Sequence, residues 1–359
     1  MKLLRTIVSS LAPVGLLVLQ ISCGGGDASG PGTVATKIVA HSATAVTAPP
    51  GTQVTQLPSV LVSDASGNPV AGAPVTFTVT SGGGTVTGGT ETTNSSGIAT
   101  VGSWTLGTGT GANTLAAATG SLPEVTFTAC GTATHTLGST LDSQLSLTDC
   151  QFSDGSFVDF YTVDVPTSGT YIFNQTSTAF NTYLELVAAT GTLIGVNDNF
   201  INSDSRLKVI VPAGTYLVVA NSFDANAFGN YSLASAASTA QVSNCEDVFL
   251  LPGISTPQSL QTTDCVSNGF YYDEYVIFLK AGQTVTVSMT SGVVDSYLEL
   301  RADGASSFLV NNDNVDATTK DARVTYTVPV LSTPTSGFYI ITAASKVAGA
   351  TGDYTLSIQ

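Results

Sequence analysis

The feature that most limits how this chain can fold is an internal duplication. "LTDCQFSDGSFVDFYTVDV" returns as "TTDCVSNGFYYDEYVIFL", "NTYLELVAATGTLIGVNDN" as "DSYLELRADGASSFLVNNDN", "DSRLKVIVPAGTYLVVA" as "DARVTYTVPVLSTPTSGFYIITA", and "GNYSL" as "GDYTL". The copies span 131–238 and 241–359. Each is long enough to bury a core of its own, so the pattern describes tandem domains and not a solenoid.

Inside each copy the apolar residues alternate with period two. Leu184 and Leu186 share one face while Tyr183, Glu185 and Val187 share the other, and Leu298 and Leu300 do the same beside Tyr297, Glu299 and Arg301. Short runs of this kind, punctuated by Gly, Asn, Asp and Pro, predict β-sandwiches. The same alternation places Val75, Phe77 and Val79 opposite Thr76, Thr78 and Thr80 in a preceding unit. No helical period occurs after the N-terminal segment. The expected fold class is all-β: one sandwich over 33–130, then the two tandem sandwiches.

Charged residues are 10% of the 359-residue chain and the formal net charge is −15. With no basic stripe, nucleic acid and anionic membrane surfaces are poor partners.

The chain has five cysteines. Cys130 and Cys150 are 20 residues apart, as are Cys245 and Cys265. Four cysteines allow three connectivities, and the duplicated spacing favours one bridge per copy, Cys130 to Cys150 and Cys245 to Cys265. Such bridges persist in an oxidising envelope or exterior. A zinc reading lacks support, since no CxxC occurs and the only histidines are His41 and His135.

At the N-terminus, Lys2 and Arg5 precede an apolar run from Ile7 to Ile21, interrupted by Ser9, Ser10 and Pro13. It is short for a bilayer span and fits a signal sequence over 1–22. The run ends in "LQISCGGGD", which resembles a bacterial lipobox, with Gln20 where that motif prefers Leu. The resemblance implies lipidation of Cys23, a Gly-rich tether over 23–32, and export to the outer membrane or cell surface. Secretion with nearby cleavage is the alternative.

Two family resemblances follow. Residues 33–130 carry D-x-x-G-N-P-V-x-G-x-P-V-x-F from Asp64, T-x-x-x-G-x-A-T from Thr93, Trp104 and a final "VTFTA" strand. This resembles the bacterial Ig-like domains of the invasin and intimin type, which implies a rigid spacer with Trp104 in its core. The tandem copies resemble pre-peptidase C-terminal domains through "VDFY" and "YDEY", "YLEL" with its Asn-Asp loop, Asp-x-Arg, "GTYLVV" or "GFYIIT", and the closing Gly-x-Tyr-x-Leu. That family implies jelly-roll-like sandwiches found beside secreted proteases and in exported proteins without protease activity. Its members include collagen, glycan and calcium binders.

The chemistry-bearing motifs are few. There is no G-x-S-x-G and no H-E-x-x-H, and no glycine-rich turn leads into a helix. Asp159 and Asp273 are expected to accept backbone N–H bonds or to pair with Arg206 and Arg323. Glu185 and Glu299 are expected to face solvent or a neighbouring domain. The "NDN" loops offer oxygen ligands in Asp198, Asn199, Asp313 and Asn314, so calcium is a candidate ligand there, although no cofactor is required. Asx turns are the competing reading of the same residues.

The expectation is a non-catalytic exported surface or envelope lipoprotein. It would bind an extracellular or envelope protein or polysaccharide through the tandem modules. The alternative is an accessory or inhibitory subunit for a hydrolase on another chain. A hydrolase built on carboxylates is the third reading.

Overall fold

A computed structural model describes residues 34–238, 247–315, 319–330 and 336–359. The expected signal sequence, tether and lipidation site Cys23 lie outside them, as does Cys245. Every regular element among the described residues is a β-strand. The chain forms two compact units, one running through Ala133 with Thr148–Phe152 added, the other taking Thr134–Leu147 and Ser153–Gln359.

In the first unit, Lys37–Ala40, Ser59–Ser63 and Ile98–Thr100 form one sheet. Facing it, Val125–Thr134, Ala112–Ala118, Pro74–Ser81 and Thr90–Thr92 pair in that order, and Ala45–Ala48 adds parallel to Val125–Thr134. Val75 and Phe77 are buried while Thr76 and Thr78 are exposed. They pack with Val60, Val62, Leu115, Phe127 and the fully buried Trp104. The "NSSG" loop that closes one hairpin is an Asx turn: Asn94 Oδ1 accepts from Ser96 N and Ile98 N at 2.9 and 3.0 Å. Gly97 completes it at φ 71°, where a Cβ would lie 2.6 Å from the Val62 carbonyl, so only glycine fits.

Cys130 and Cys150 form a disulfide with Cα atoms 5.9 Å apart and a sequence separation of 20. Closing a loop of that length removes denatured-state entropy worth about 3 kcal/mol. Replacing both cysteines by Ala is therefore expected to lower the denaturant midpoint of the first unit by that equivalent, read by chemical unfolding under non-reducing conditions. Cys265 is buried and disulfide-bonded.

The second unit contains both copies, and they share one strand order. In the first copy Leu193–Asn197, Thr182–Ala188, Gly214–Ser222 and Phe157–Val165 lie side by side, against Thr140–Leu145, Gly229–Ser238, Gly169–Thr176 and Ser205–Val211. In the second copy the corresponding sets are Val310–Asn312, Ser296–Ala302, Gly337–Ser345 and Phe270–Leu279, against Ile254–Leu260, Gly352–Ile358, Thr284–Thr290 and Ala322–Thr327. Leu184 and Leu186, like Leu298 and Leu300, point into the cores.

The strand Val248–Leu250 joins the copies. It runs parallel to Ser205–Val211 of the first, with Lys208 opposite Val248, and parallel to Phe270–Leu279 of the second, with Val248 opposite Tyr275. Ile210 of the first copy belongs to the hydrophobic cluster of the second. Phe249 packs edge-on to Phe338 at 5.9 Å between centroids, and Phe338 packs on Phe278 at 5.3 Å. A Cβ on Gly195 would come within 2.6 Å of the Phe249 ring, so the glycine of the first "NDN" loop makes room for the bridge. The two copies are thus hydrogen-bonded and packed into one body.

Candidate functional site

The "NDN" loops are held by their first asparagine. Asn197 Oδ1 accepts from Arg206 N, and Asn312 Oδ1 from Arg323 N, each at 3.0 Å. This one bond, repeated, ties the loop to the following Asp-x-Arg strand and explains the loop's recurrence. Asp198 is half-buried and Asn199 exposed. Asp313 is half-buried with Oδ2 3.3 Å from Lys346 Nζ, and Asn314 is exposed. Among the described residues no three His, Cys, Asp or Glu side chains gather as a metal-ligating group. Asn197→Ala is expected to cost about 1 kcal/mol, and Asp198→Ala distinctly less. Thermal unfolding of the two variants, with and without calcium, measures both the bond and any linkage to the ion.

The Asp-x-Arg aspartates have the same local task in both copies. Asp204 Oδ1 accepts from Ser177 N and Asp321 Oδ1 from Ser291 N, each at 3.1 Å. The two serine hydroxyls donate to the carbonyls of Asn230 at 2.8 Å and Asp353 at 2.6 Å. Around these bonds each copy opens a polar groove. That of the first copy has a volume of about 690 Å³ and includes Asp142, Ser177, Asp204 and Asn230. Its counterpart in the second has about 650 Å³ and includes Gln258, Ser291, Asp321 and Asp353.

Asp159 and Asp273 sit inside the cores with tyrosines as partners. Tyr231 donates to Asp159 Oδ2 at 2.7 Å and lies 2.6 Å from the Tyr161 hydroxyl. Tyr354 donates to Asp273 Oδ2 at 2.5 Å and lies 2.6 Å from the Tyr275 hydroxyl. The expected pairing with arginine does not form in the second copy. Arg323 is exposed and its Nε donates to Ser288 Oγ at 3.1 Å, because its strand turns that position outward, whereas Asp273 is buried. In the first copy the Arg206 guanidinium lies 4.6 Å above the Phe200 ring.

Burial pushes the Asp273 carboxyl up to about 8, and the charge of Asp264 adds to this, against the Tyr354 hydrogen bond and the charge of Lys208. Desolvation also raises Tyr275 and Tyr354 well above the ordinary tyrosine value, and Tyr161 to about 12. At 2% exposure Asp273 cannot meet a substrate, so its cluster acts as a buried polar tie. The retained Asp-x-Tyr and Gly-x-Tyr motifs were its sequence signal.

His135 is buried, with Nε2 2.8 Å from Ser235 Oγ, and burial lowers its pKa; His41 is exposed. Glu185 lies opposite Val219 on the outward sheet face and is buried there, so it does not face solvent. Glu299 is half-buried and accepts from the Tyr297 hydroxyl at 2.6 Å.

The outward faces of the two copies differ sharply at matching positions. In the first, Val158, Phe160, Val187 and Val219 are buried. The second places Tyr272, Glu274, Arg301 and Thr342 there, all half-buried, around an open groove of about 660 Å³. Arg301 Nη2 donates to Glu274 Oε1 at 2.9 Å. Asn311 Nδ2 donates to the Tyr297 hydroxyl at 2.9 Å, and Lys346 Nζ lies 4.8 Å over the Tyr297 ring. Phe270 and the 51% exposed Phe308 also line the groove.

No family model and no curated protein matches the chain. Among solved structures it is similar to the pre-peptidase C-terminal domain of a collagenase from Bacillus anthracis, at 14% identity and TM-score 0.23, over 34% of this chain and 99% of that one. It is similar to the D0–D1 domains of intimin at 15% identity and TM-score 0.23, over 60% of this chain and 94% of that one. It is also similar to invasin, a bacterial integrin-binding protein, at 16% identity and TM-score 0.22, over 90% of this chain and 57% of that one.

Proposed function

We propose that the chain is a non-catalytic, exported surface or envelope lipoprotein. Cys23 carries the anchor, the Ig-like unit serves as spacer, and the tandem sandwiches bind an extracellular or envelope protein or polysaccharide. The observation that carries this reading is the pair of matching grooves at Asp204 and Asp321, open and lined by hydroxyl, amide and carboxylate groups at the same place in both copies. Two like sites on one body suit a repetitive or multivalent ligand, because the second contact forms at a high effective concentration.

The test is retention of the full chain on immobilised polysaccharides and matrix proteins, with the ligands checked for cleavage. Saturable retention of intact ligand supports the reading. Cleavage of glycan or casein by the purified chain replaces it with a hydrolase. Co-purification of a stoichiometric hydrolase favours an accessory subunit instead. Intact mass of the membrane-associated protein tests the anchor: an unmodified or absent Cys23 removes it.

A further inference from the structure

We propose that the outward groove of the second copy, across Phe270–Leu279, Ser296–Ala302 and Gly337–Ser345, binds a neutral oligosaccharide chain. This names a ligand class for the binding function above and rests on that reading.

The first argument is the contrast between the copies. Both fold with one strand order, yet the first fills these positions with buried Val158, Phe160 and Val187, and the second with Tyr272, Glu274 and Arg301. The fold therefore does not demand the polar set. Nor does stability explain it, since a partly exposed ion pair such as Glu274–Arg301, with side chains 24% and 25% exposed, contributes about 0–1 kcal/mol.

The second argument is chemical. Two bonds converge on Glu274 Oε1, from Arg301 at 2.9 Å and from the Thr342 hydroxyl at 3.5 Å. Oε2 is left as an acceptor beside the remaining guanidinium donors. Tyr297 is pinned between Glu299 and Asn311 at 2.6 and 2.9 Å. Fixed acceptors and donors side by side match vicinal sugar hydroxyls, each of which both donates and accepts. Phe270 and the exposed Phe308 supply apolar surface for the C–H faces of a sugar ring. The volume, about 660 Å³, lies in the range of small-ligand sites.

Charge decides between neutral and ionic ligands. Glu274 is paired with Arg301 and Lys346 with Asp313, while Glu299 accepts from the Tyr297 hydroxyl, on a chain whose formal charge is −15. A polyanion meets a repulsive field, and a cation finds each of these acids already held by a partner.

The experiment is an array of neutral and acidic oligosaccharides probed with the full chain, followed by titration of the best neutral binder with wild type, Phe308→Ser and Glu274→Gln. Neutral oligosaccharides are expected to be retained alike at low and physiological salt, and each variant to bind about tenfold more weakly. Both variants should keep close to the wild-type melting temperature, because Phe308 is 51% exposed and Gln keeps the size of Glu274 while removing only a partly exposed ion pair, which contributes little. Retention of no neutral oligosaccharide, or equal affinity in both variants, overturns the assignment. If the array is silent but proteins are retained, this inference falls and the surface-binding reading stands. If neither is retained, both fall.

Discussion

Raising the pH from about 4 to about 8 is expected to destabilise the second copy progressively through Asp273, and Asp273→Asn to remove that dependence. Unfolded, this carboxyl ionises near its ordinary value of 3.8; folded, it holds its proton up to about 8. Between those values the native state binds a proton that the unfolded state has released. Stability therefore falls as pH rises, with a slope approaching ~1.4 kcal/mol per pH unit, and levels off above the folded value. The stabilising contribution is complete at the acid end of this window and gone at its alkaline end. Denaturant unfolding of wild type and variant at several pH values isolates it together with its coupling to Asp264, because carboxylates remote from Asp273 contribute equally to both proteins. Tyr354→Phe should act in the opposite sense to Asp273→Asn. It removes a hydrogen bond that favours the ionised carboxylate, so the folded pKa climbs further and the pH dependence steepens at its alkaline end.

Trp104→Ala is expected to cost about 3–5 kcal/mol in the first unit, the range for truncating a large buried aromatic. The indole is fully buried among side chains of both facing sheets, so no rearrangement of a surface loop can fill the space. Because Trp104 is the only tryptophan, wild-type indole fluorescence reports unfolding of this unit. Circular dichroism then follows the variant. An early transition belonging to the first unit, with the transition of the tandem copies unmoved, is the expected result. Trp104→Phe should recover much of the loss.

The architecture was legible wherever period and punctuation coincide. Val75 and Phe77 turn inward, Leu184 and Leu186 mirror Leu298 and Leu300, and Gly97 closes its hairpin, because strand alternation and positive φ are local properties. The duplicated motifs located the "NDN" loops, but the residues that hold the turn lie one place earlier than the acids. Asn197 and Asn312 hold the turn through a bond to a backbone group nine and eleven residues on, which no local pattern displays.

Three further features depended on tertiary context. Glu185 and Glu299 occupy matching positions, and only the surroundings bury one and half-expose the other. The Asp–Tyr–Tyr clusters join residues 70 and 79 positions apart. The bridging strand Val248–Leu250 is too short to show a period, and its role comes from the parallel partners on either side.

Hydrogen exchange on the full chain, with and without the polymer or protein it retains, tests the central claim most directly. The account predicts slowed exchange in the tandem copies, at the groove strands of residues 134–359, with residues 34–133 unchanged. Protection confined to residues 34–133 would make the first unit the binding module and contradict the account.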